Sequence, residues 1–423
     1  MLKIWLVTIG EPISTDYSNV RLHRTGILSR YFLDHGHQIV WWNSAFDHQQ
    51  RNLRVSKTTN LKVSDQENII LSFGGGYEKN VSIQRLLDHS RVAKEFRKFS
   101  SDLMRPDIII ASFPPIELCE EAVKFGKRNN VPVIIDYRDL WPEAFINLIP
   151  IKIRTLGRFF FIFTNLRIKR IFQQATGIIG ITEPFLQIGL TKANRVRNSF
   201  DGVFPMGYPK QEYPKEIINE ALDFWKAKKI ELAFNGLRIC LFGNIAKRNL
   251  RLREVIEAAQ ILIKLSINVQ FVICGKGDGL EGYKILARNI NTIHFPGFVN
   301  AIQIFSLMKI SNLGILPYSP TIDFNNSLPN KAIEYFSGGL PIITSLSGYL
   351  GSLITEKDCG LIYETKNPKD LVEKICFVYK NREILKKMSE NARTLYENEL
   401  SADLVYNAYV KFIENVSFLR GKS

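Results

Sequence analysis

Residues 327–345 read S-L-P-N-K-A-I-E-Y-F-S-G-G-L-P-I-I-T-S, a tight turn, a short helix, a Gly-Gly stop and an apolar strand. Pro329 suits the first turn of a helix, where its missing N–H has no partner to lose. Gly338 and Gly339 supply the stop, and residues 341–344 restart as a β-branched run. Such a unit aims backbone N–H groups and a positive helix end at whatever lies beyond Ser327, an arrangement that suits a phosphate. Glu334 on the same helix is a carboxylate able to accept hydrogen bonds from sugar hydroxyls. The same residues also describe an ordinary α/β crossover with a solvated Glu.

Two more units of this kind precede it. Residues 237–242 form a strand, followed by G-N-I-A-K-R-N and a helix from Leu252. A glycine at a strand-to-helix turn lets the backbone approach a diphosphate, and nearby cations complete the site. Gly243, Lys247 and Arg248 fit that description, although exposed Lys-Arg pairs are commonly only solvated. Residues 269–274 form the next strand, ending in G-K-G-D-G with Gly275 at its head. Strands at 292–295 and 311–317 follow, with a charged helical insert at 216–229 ahead of the series.

The first half opens in the same way: strand 3–9 ending at Gly10, a polar loop, a helix over 21–34, and strand 38–42. Strand, loop, helix, strand is the start of a parallel α/β domain. Ligands in open sheets lie at the carboxyl ends of the strands, so the loop from Gly10 to Arg24 faces a crevice. Arg21, His23 and Arg24 suit an anionic group there, and equally suit a solvated basic helix start. Residues 50–79, polar and carrying the triplet Gly74-Gly75-Gly76, read as a mobile loop. Strand 131–135 leads into D-Y-R-D-L-W-P, two carboxylates, an Arg and a Trp at a strand end. Arg138 and Asp139 are placed for chemistry, or form a buried pair that fixes the loop with Trp141 as packing.

Composition bounds the partners. At 423 residues the chain suggests two domains, and its formal charge of +15 favours anionic partners. The five cysteines are scattered without close pairs, and the six histidines show no metal-ligand spacing. The start, M-L-K-I-W-L-V-T-I-G, reads as a first strand rather than a signal peptide. No run approaches the roughly 18 apolar residues of a membrane span. Residues 148–172 mix large apolar side chains with six Lys and Arg and no acid. They fit a basic amphipathic helix lying in an anionic lipid interface, or a helix whose Phe cluster packs on the sheet. Nothing resembles a nucleic-acid-binding motif. These features point to a cytoplasmic protein that touches a membrane rather than crossing it.

The motif P-N-K-x-x-E-Y-x-x-x-G-x-P-I-I resembles the nucleotide-sugar site of the retaining family 4 glycosyltransferases, particularly those building bacterial surface polysaccharides such as capsule and O-antigen. R-D-L-W-P is similar to the same group. The resemblance implies a GT-B fold, two Rossmann-like doubly wound α/β domains facing a central cleft. It divides the chain into 1–207 for the acceptor, 208–400 for the nucleotide sugar, and a helix at 401–423 crossing back. It implies that Glu334 holds the ribose hydroxyls, that Ser327, Leu328 and Pro329 face the diphosphate, and that Lys331 is a phosphate neighbour. Many relatives carry a Glu where Asn326 stands, and an Arg where Asn244 stands beside Gly243. Lys247 and Arg248 are then the cations for the diphosphate, with Gly275 near the nucleotide and Phe298 and Val299 at the base. Arg138 and Asp139 would line the catalytic cleft near the acceptor. Gly10, Arg21, His23 and Arg24 would contact the acceptor, with Asn80, Ser82 and Arg85 flanking it.

The implied reaction moves a sugar from a nucleotide diphosphate, UDP in the first instance, onto a polyprenyl-diphosphate-linked glycan. No tightly bound cofactor and no metal are implied, because N–H groups and Lys/Arg stabilise the leaving diphosphate. Two other classes fit the residues: another GT-B enzyme such as a nucleotide-sugar epimerase, and a non-catalytic, membrane-associated assembly partner.

Overall fold

The computed structural model describes residues 1–17, 20–79, 82–142 and 154–421, with side chains for all but 154–161, 420 and 421. The chain divides into two compact units, Met1–Pro205 with the chain from Val405 onward, and Met206–Leu404.

The first unit is an eight-stranded sheet. Its spatial order is Gly202–Val203, Gly177–Gly180, Val133–Tyr137, Ile108–Phe113, Lys3–Val7, Gln38–Ser44, Glu67–Ser72 and Thr59–Lys62. All neighbours are parallel except the last pair, which is antiparallel. Lys3–Val7 is central and buried on both faces, as its continuous apolar run requires. Trp5 packs against Phe125 at 4.9 Å, and Trp42 against Phe96 at 4.6 Å, joining the central strands to two covering helices. The returning helix Ala402–Gly421 belongs to this unit from Val405 on, where Tyr406 packs on Tyr31 and Tyr409 on Phe204.

Three local expectations change. The first helix begins at Arg24, not 21, with extended His23 as its cap. Residues 50–79 are not a mobile loop, since Glu67–Ser72 pairs along its whole length with Gln38–Ser44. The glycine triplet is packed as well: a Cβ on Gly74 would lie 2.2 Å from an Asp88 carboxylate oxygen, and Gly76 N–H donates to that carboxylate at 2.7 Å. In the basic stretch, the helix runs over Arg154–Gln174, and residues 148–153 lie outside the described residues.

The second unit is a wholly parallel six-stranded sheet in the order Ile293–Gly297, Val269–Lys276, Leu237–Asn244, Leu313–Leu316, Ile342–Thr344, Gly360–Ile362. From Leu237–Asn244 the chain builds outward to one side, then returns to the other side with Leu313–Leu316. The topological switch point therefore lies between these two strands, where open α/β sheets bind ligands. Helix Asn330–Ser337 is held onto the sheet by Tyr335, whose hydroxyl donates to the Cys240 carbonyl at 2.9 Å. Its ring fills the space over Gly314, where a Cβ would come within 2.5 Å.

Candidate functional site

At the switch point of the second unit, strand ends and helix starts converge. Gly243 (φ +116°) and Gly275 (φ +141°) are directly paired across the sheet, and both backbones take conformations that favour glycine. A Cβ on Gly275 would lie 1.8 Å from the Gly243 carbonyl oxygen, and one on Gly243 would lie 2.4 Å from the Lys331 Cε. The Lys331 stem thus lies across Gly243, and its Nζ donates to the Tyr318 hydroxyl at 2.9 Å. Tyr318 in turn stacks on Phe324 at 4.3 Å. The loop after Gly243 is held by its neighbour, since Lys247 N–H donates to Asp278 at 2.9 Å and Gly279 N–H to the Ile245 carbonyl at 3.1 Å. Asn244, Lys247, Arg248 and Lys276 stay exposed on this edge. Lys276 sits 4.9 Å over the ring of Phe298, which is itself exposed, while the Val299 side chain is buried.

The turn before helix Asn330–Ser337 completes this edge. Leu328 and Pro329 are buried and Ser327 half-buried. Pro329 is the cap rather than the first helical residue, and it supplies no side-chain hydrogen bond to the amino end. Glu334, expected at the ribose, is 5% exposed rather than solvated. The Asn326 amide, expected near the donor sugar, donates to the Ile322 carbonyl at 2.7 Å and so closes the short helix Ile322–Asn326. Backbone N–H groups, Lys331 and the exposed cations make an edge suited to a diphosphate. A separate cavity of about 470 Å³, lined among others by Tyr213, Phe305, Ser337 and Arg393, lies at the far end of the same helix, away from Leu328. Among the described residues no group of three or more His, Cys, Asp and Glu is placed to hold a metal ion.

In the first unit, the strand-end loops carry a buried ionic network. Asp136 accepts from Arg24 Nε at 3.0 Å and from Arg138 Nε at 2.9 Å. Arg138 also pairs with Glu11, and donates to the Thr25 hydroxyl at 3.0 Å. Glu11 accepts from Thr25 as well, from its hydroxyl at 2.8 Å and its N–H at 3.1 Å. Burial pulls Asp136 upward, but Arg138 and Arg24 outweigh it and hold the carboxyl below its ordinary value. Burial pulls Arg138 downward, and Asp136 and Glu11 more than reverse that.

This corrects two expectations, Arg24 as an acceptor contact and a buried pair between Arg138 and Asp139. Arg24 is 3% exposed, and it also donates to the Pro205 carbonyl at 2.7 Å and lies over Tyr406 and Tyr409, so it holds the unit together rather than facing an acceptor. Arg138 is partnered by Asp136 and Glu11, while Asp139 is exposed and takes no part in the network. Gly10 has φ +71°, with His48 3.2 Å from where its Cβ would be. Arg21 and His23 are exposed, and His23 Nε2 lies 2.9 Å from the Gln49 amide nitrogen. The surrounding loops crowd the His23 ring although its edge reaches solvent; desolvation first, then Arg21 and Arg138, hold its pKa below the usual imidazole value. Ser82 caps the helix Ile83–Phe99, accepting from Arg85 N–H at 3.2 Å, and Asn80 lies outside the described residues.

Several residues here carry no expectation from sequence. Lys276 is the Lys of G-K-G-D-G, and Tyr318 opens the loop into the 327–345 stretch. Glu11 follows Gly10 directly, a carboxylate at the end of the first strand being its only local signal.

Residues 223–395 match the family model described as glycosyl transferases group 1. This region is a group 1 glycosyltransferase domain. It contains the Gly243, Gly275, Lys331 and Glu334 edge. An uncharacterised glycosyltransferase of Methanocaldococcus jannaschii is 25% identical over 142 residues, which span 32% of this chain and 39% of that protein. Sucrose-phosphate synthase from Thermosynechococcus elongatus superposes with a TM-score of 0.70 at 13% identity, over 98% of this chain and 99% of its own. The Anabaena protein HepE, solved with UDP-glucose, superposes with a TM-score of 0.62 at 13% identity, over 99% and 100%. At such identities the superpositions establish the α/β GT-B fold, and the glycosyltransferase domain lies in its second half.

Proposed function

We propose that the chain is a retaining glycosyltransferase that moves a sugar from a nucleotide diphosphate, UDP, onto a lipid-linked glycan in surface-polysaccharide synthesis. The observation that carries this reading is Lys331 laid across Gly243 at the topological switch point. There a cation and closely approachable backbone meet the amino end of helix Asn330–Ser337. Departure of the diphosphate from the anomeric carbon through an oxocarbenium-like state needs negative charge stabilised at one spot. Lys331, Lys276, Lys247 and Arg248 supply positive charge around that spot, and Glu334 is placed on the same helix for the ribose. The solved UDP-glucose complex of HepE supports UDP as the nucleotide.

The acceptor belongs, in this reading, at the strand-end loops of the first unit, with Gly10, Arg21 and His23 at its edge and Arg138 and Asp139 beside the reacting centre. A peripheral place on the inner face of a membrane is supported by helix Arg154–Gln174. Ile162, Phe163 and Leu166 are 54%, 68% and 48% exposed on it, beside exposed Lys169 and Arg170. Arg167 is committed instead to Glu120, which it reaches at 3.1 Å. No helix among the described residues is long and apolar enough to cross a membrane.

The test is release of UDP from a panel of UDP-sugars with and without a membrane extract carrying lipid-linked glycans. Release that depends on the extract supports transfer. Sugar isomerisation, or no turnover in any combination, overturns it.

A further inference from the structure

The cavity at the far end of helix Asn330–Ser337 is used by none of the above, and it lies wholly within the second unit. It holds about 470 Å³, well beyond the roughly 150 Å³ that takes up a benzene. Its walls are fixed by their own contacts. The Tyr213 hydroxyl donates to the Gln211 side-chain oxygen at 2.7 Å, and the Tyr213 ring meets Phe305 edge-on at 5.2 Å. Phe305 belongs to helix Ala301–Lys309, where the Ser306 hydroxyl accepts from the buried Trp225 indole at 2.8 Å. The Tyr396 hydroxyl donates to the Tyr208 carbonyl at 2.9 Å, and the Ser389 hydroxyl to the Gly339 carbonyl at 2.5 Å.

The charges on this lining are unevenly matched. Lys210 pairs with Glu212 at 2.6 Å and feels Glu397 as well, so both carboxylates of the lining act on one lysine. Lys309 Nζ stands 5.3 Å from the centre of the Phe305 ring. Arg393 lies along the backbone of Gly339 (φ +67°), where a Cβ would come within 2.9 Å of its Nη2. The Arg393 guanidinium makes no hydrogen bond or ion pair among the described residues. Such a fork takes carboxylate or phosphate oxygens on two parallel N–H donors. The Tyr213–Phe305 corner of the same cavity takes a flat ring. An anion without a ring would leave the corner empty, and a neutral ring would leave Arg393 unanswered.

One wall of the cavity is the end of the helix that carries Glu334. Ser337 and Gly338 both line it, and both donate to the Glu334 carbonyl, from Oγ at 2.7 Å and from N–H at 3.2 Å. An occupant pressed on these residues bears on the backbone turn from which Glu334 extends.

We infer that this cavity is a regulatory site for a small aromatic anion, its oxygens on Arg393 and its ring against Tyr213 and Phe305. Its occupancy changes donor affinity through helix Asn330–Ser337. The site stands on its own geometry, while the coupling rests on the donor reading above. The test titrates the full chain by calorimetry with naphthoate, naphthyl phosphate, naphthylmethanol and acetate. The two naphthyl anions bind about tenfold more tightly than the neutral alcohol and about tenfold more tightly than acetate, and the tighter of the two names the head group. Arg393→Gln, a change at an exposed residue, weakens both by about tenfold and leaves the alcohol unchanged. Lys331→Met, at the opposite end of the helix, leaves naphthoate binding as it is. Saturating naphthoate shifts UDP affinity by about fivefold in the wild type and not in Arg393→Gln, and saturating UDP shifts naphthoate affinity by the same factor. Naphthyl anions that bind no better than acetate, or that bind Arg393→Gln as well as the wild type, overturn the site. A tenfold loss of naphthoate in Lys331→Met puts the probe on the donor edge and overturns it too. Naphthoate binding with UDP affinity unmoved overturns the regulation. Failure of the wild type to bind UDP sinks the donor reading and leaves the site result standing.

Discussion

The two units end their central strands in opposite ways. In the second, the edge is glycine backbone with cations left on the surface: Gly243, Gly275, Lys247, Arg248 and Lys276. In the first, the equivalent edge turns its charges inward, Arg24 and Arg138 onto Asp136 and Glu11. One edge leaves positive charge on the surface, while the other uses it to join segments far apart in sequence. The same residue type therefore means different things on the two sheets, and burial decides which.

The largest effect that would break this contrast is in the first unit. Asp136→Ala leaves two buried guanidinium groups without their shared carboxylate, and it should lower unfolding free energy by about 3–5 kcal/mol, measured by urea denaturation. A loss below about 1 kcal/mol would mean the network is not what holds these loops. Acid titration sharpens the same point. Burial, followed by Arg85 and His48, holds His89 at about 3, far below its ordinary 6.5. The unfolded chain thus binds the proton that the folded one refuses between these values. This contribution is intact above pH 6.5 and falls by about 1.4 kcal/mol per pH unit as pH drops toward 3. His89→Phe should flatten that part of the stability profile. Asp136, with its depressed value, behaves with the same sign at lower pH: its contribution is present above its unfolded value and is lost as pH falls through the folded one.

In the second unit the expected effects move from stability to binding. Gly243→Ala forces a side chain into φ +116° against Lys331 and should cost about 1–3 kcal/mol. UDP binding should fall with it. Smallest in stability is Lys331→Met, within about 0.5 kcal/mol of wild type on unfolding because the stem still covers Gly243. Its UDP affinity should drop by about tenfold, read by calorimetry. A Lys331→Met protein that unfolds early but binds UDP normally would reverse the contrast.

The same contrast explains what was readable beforehand. The second unit carries its site in short contiguous motifs, and G-N-I-A-K-R-N, G-K-G-D-G and P-N-K-A-I-E-Y each mark one strand end or helix start. Sheet pairing then places Gly243 opposite Gly275. The network of the first unit has no such local sign. Arg24 and Asp136 are 112 positions apart, and Glu11 and Arg138 are 127 apart, so only the fold brings them together. Asp139 is next to Arg138 in sequence but outside its network. The glycine triplet has a related explanation: polar composition and three glycines suggest mobility, whereas Asp88 stands where a Gly74 side chain would be, the Phe46 ring stands where a Gly76 side chain would be, and Gly75 takes φ +103°. Strand Glu67–Ser72 lies in the same polar run, and its only apolar signal is the short stretch Ile69-Ile70-Leu71.

The most direct measurement of the donor edge is calorimetric titration of UDP onto the wild-type chain and onto Glu334→Gln. Saturable binding by the wild type is expected, with a loss of about tenfold or more in the variant as the proposed contacts of two ribose hydroxyls to the Glu334 carboxylate are lost. Equal affinity in both proteins, or no UDP binding by the wild type, would contradict that expectation.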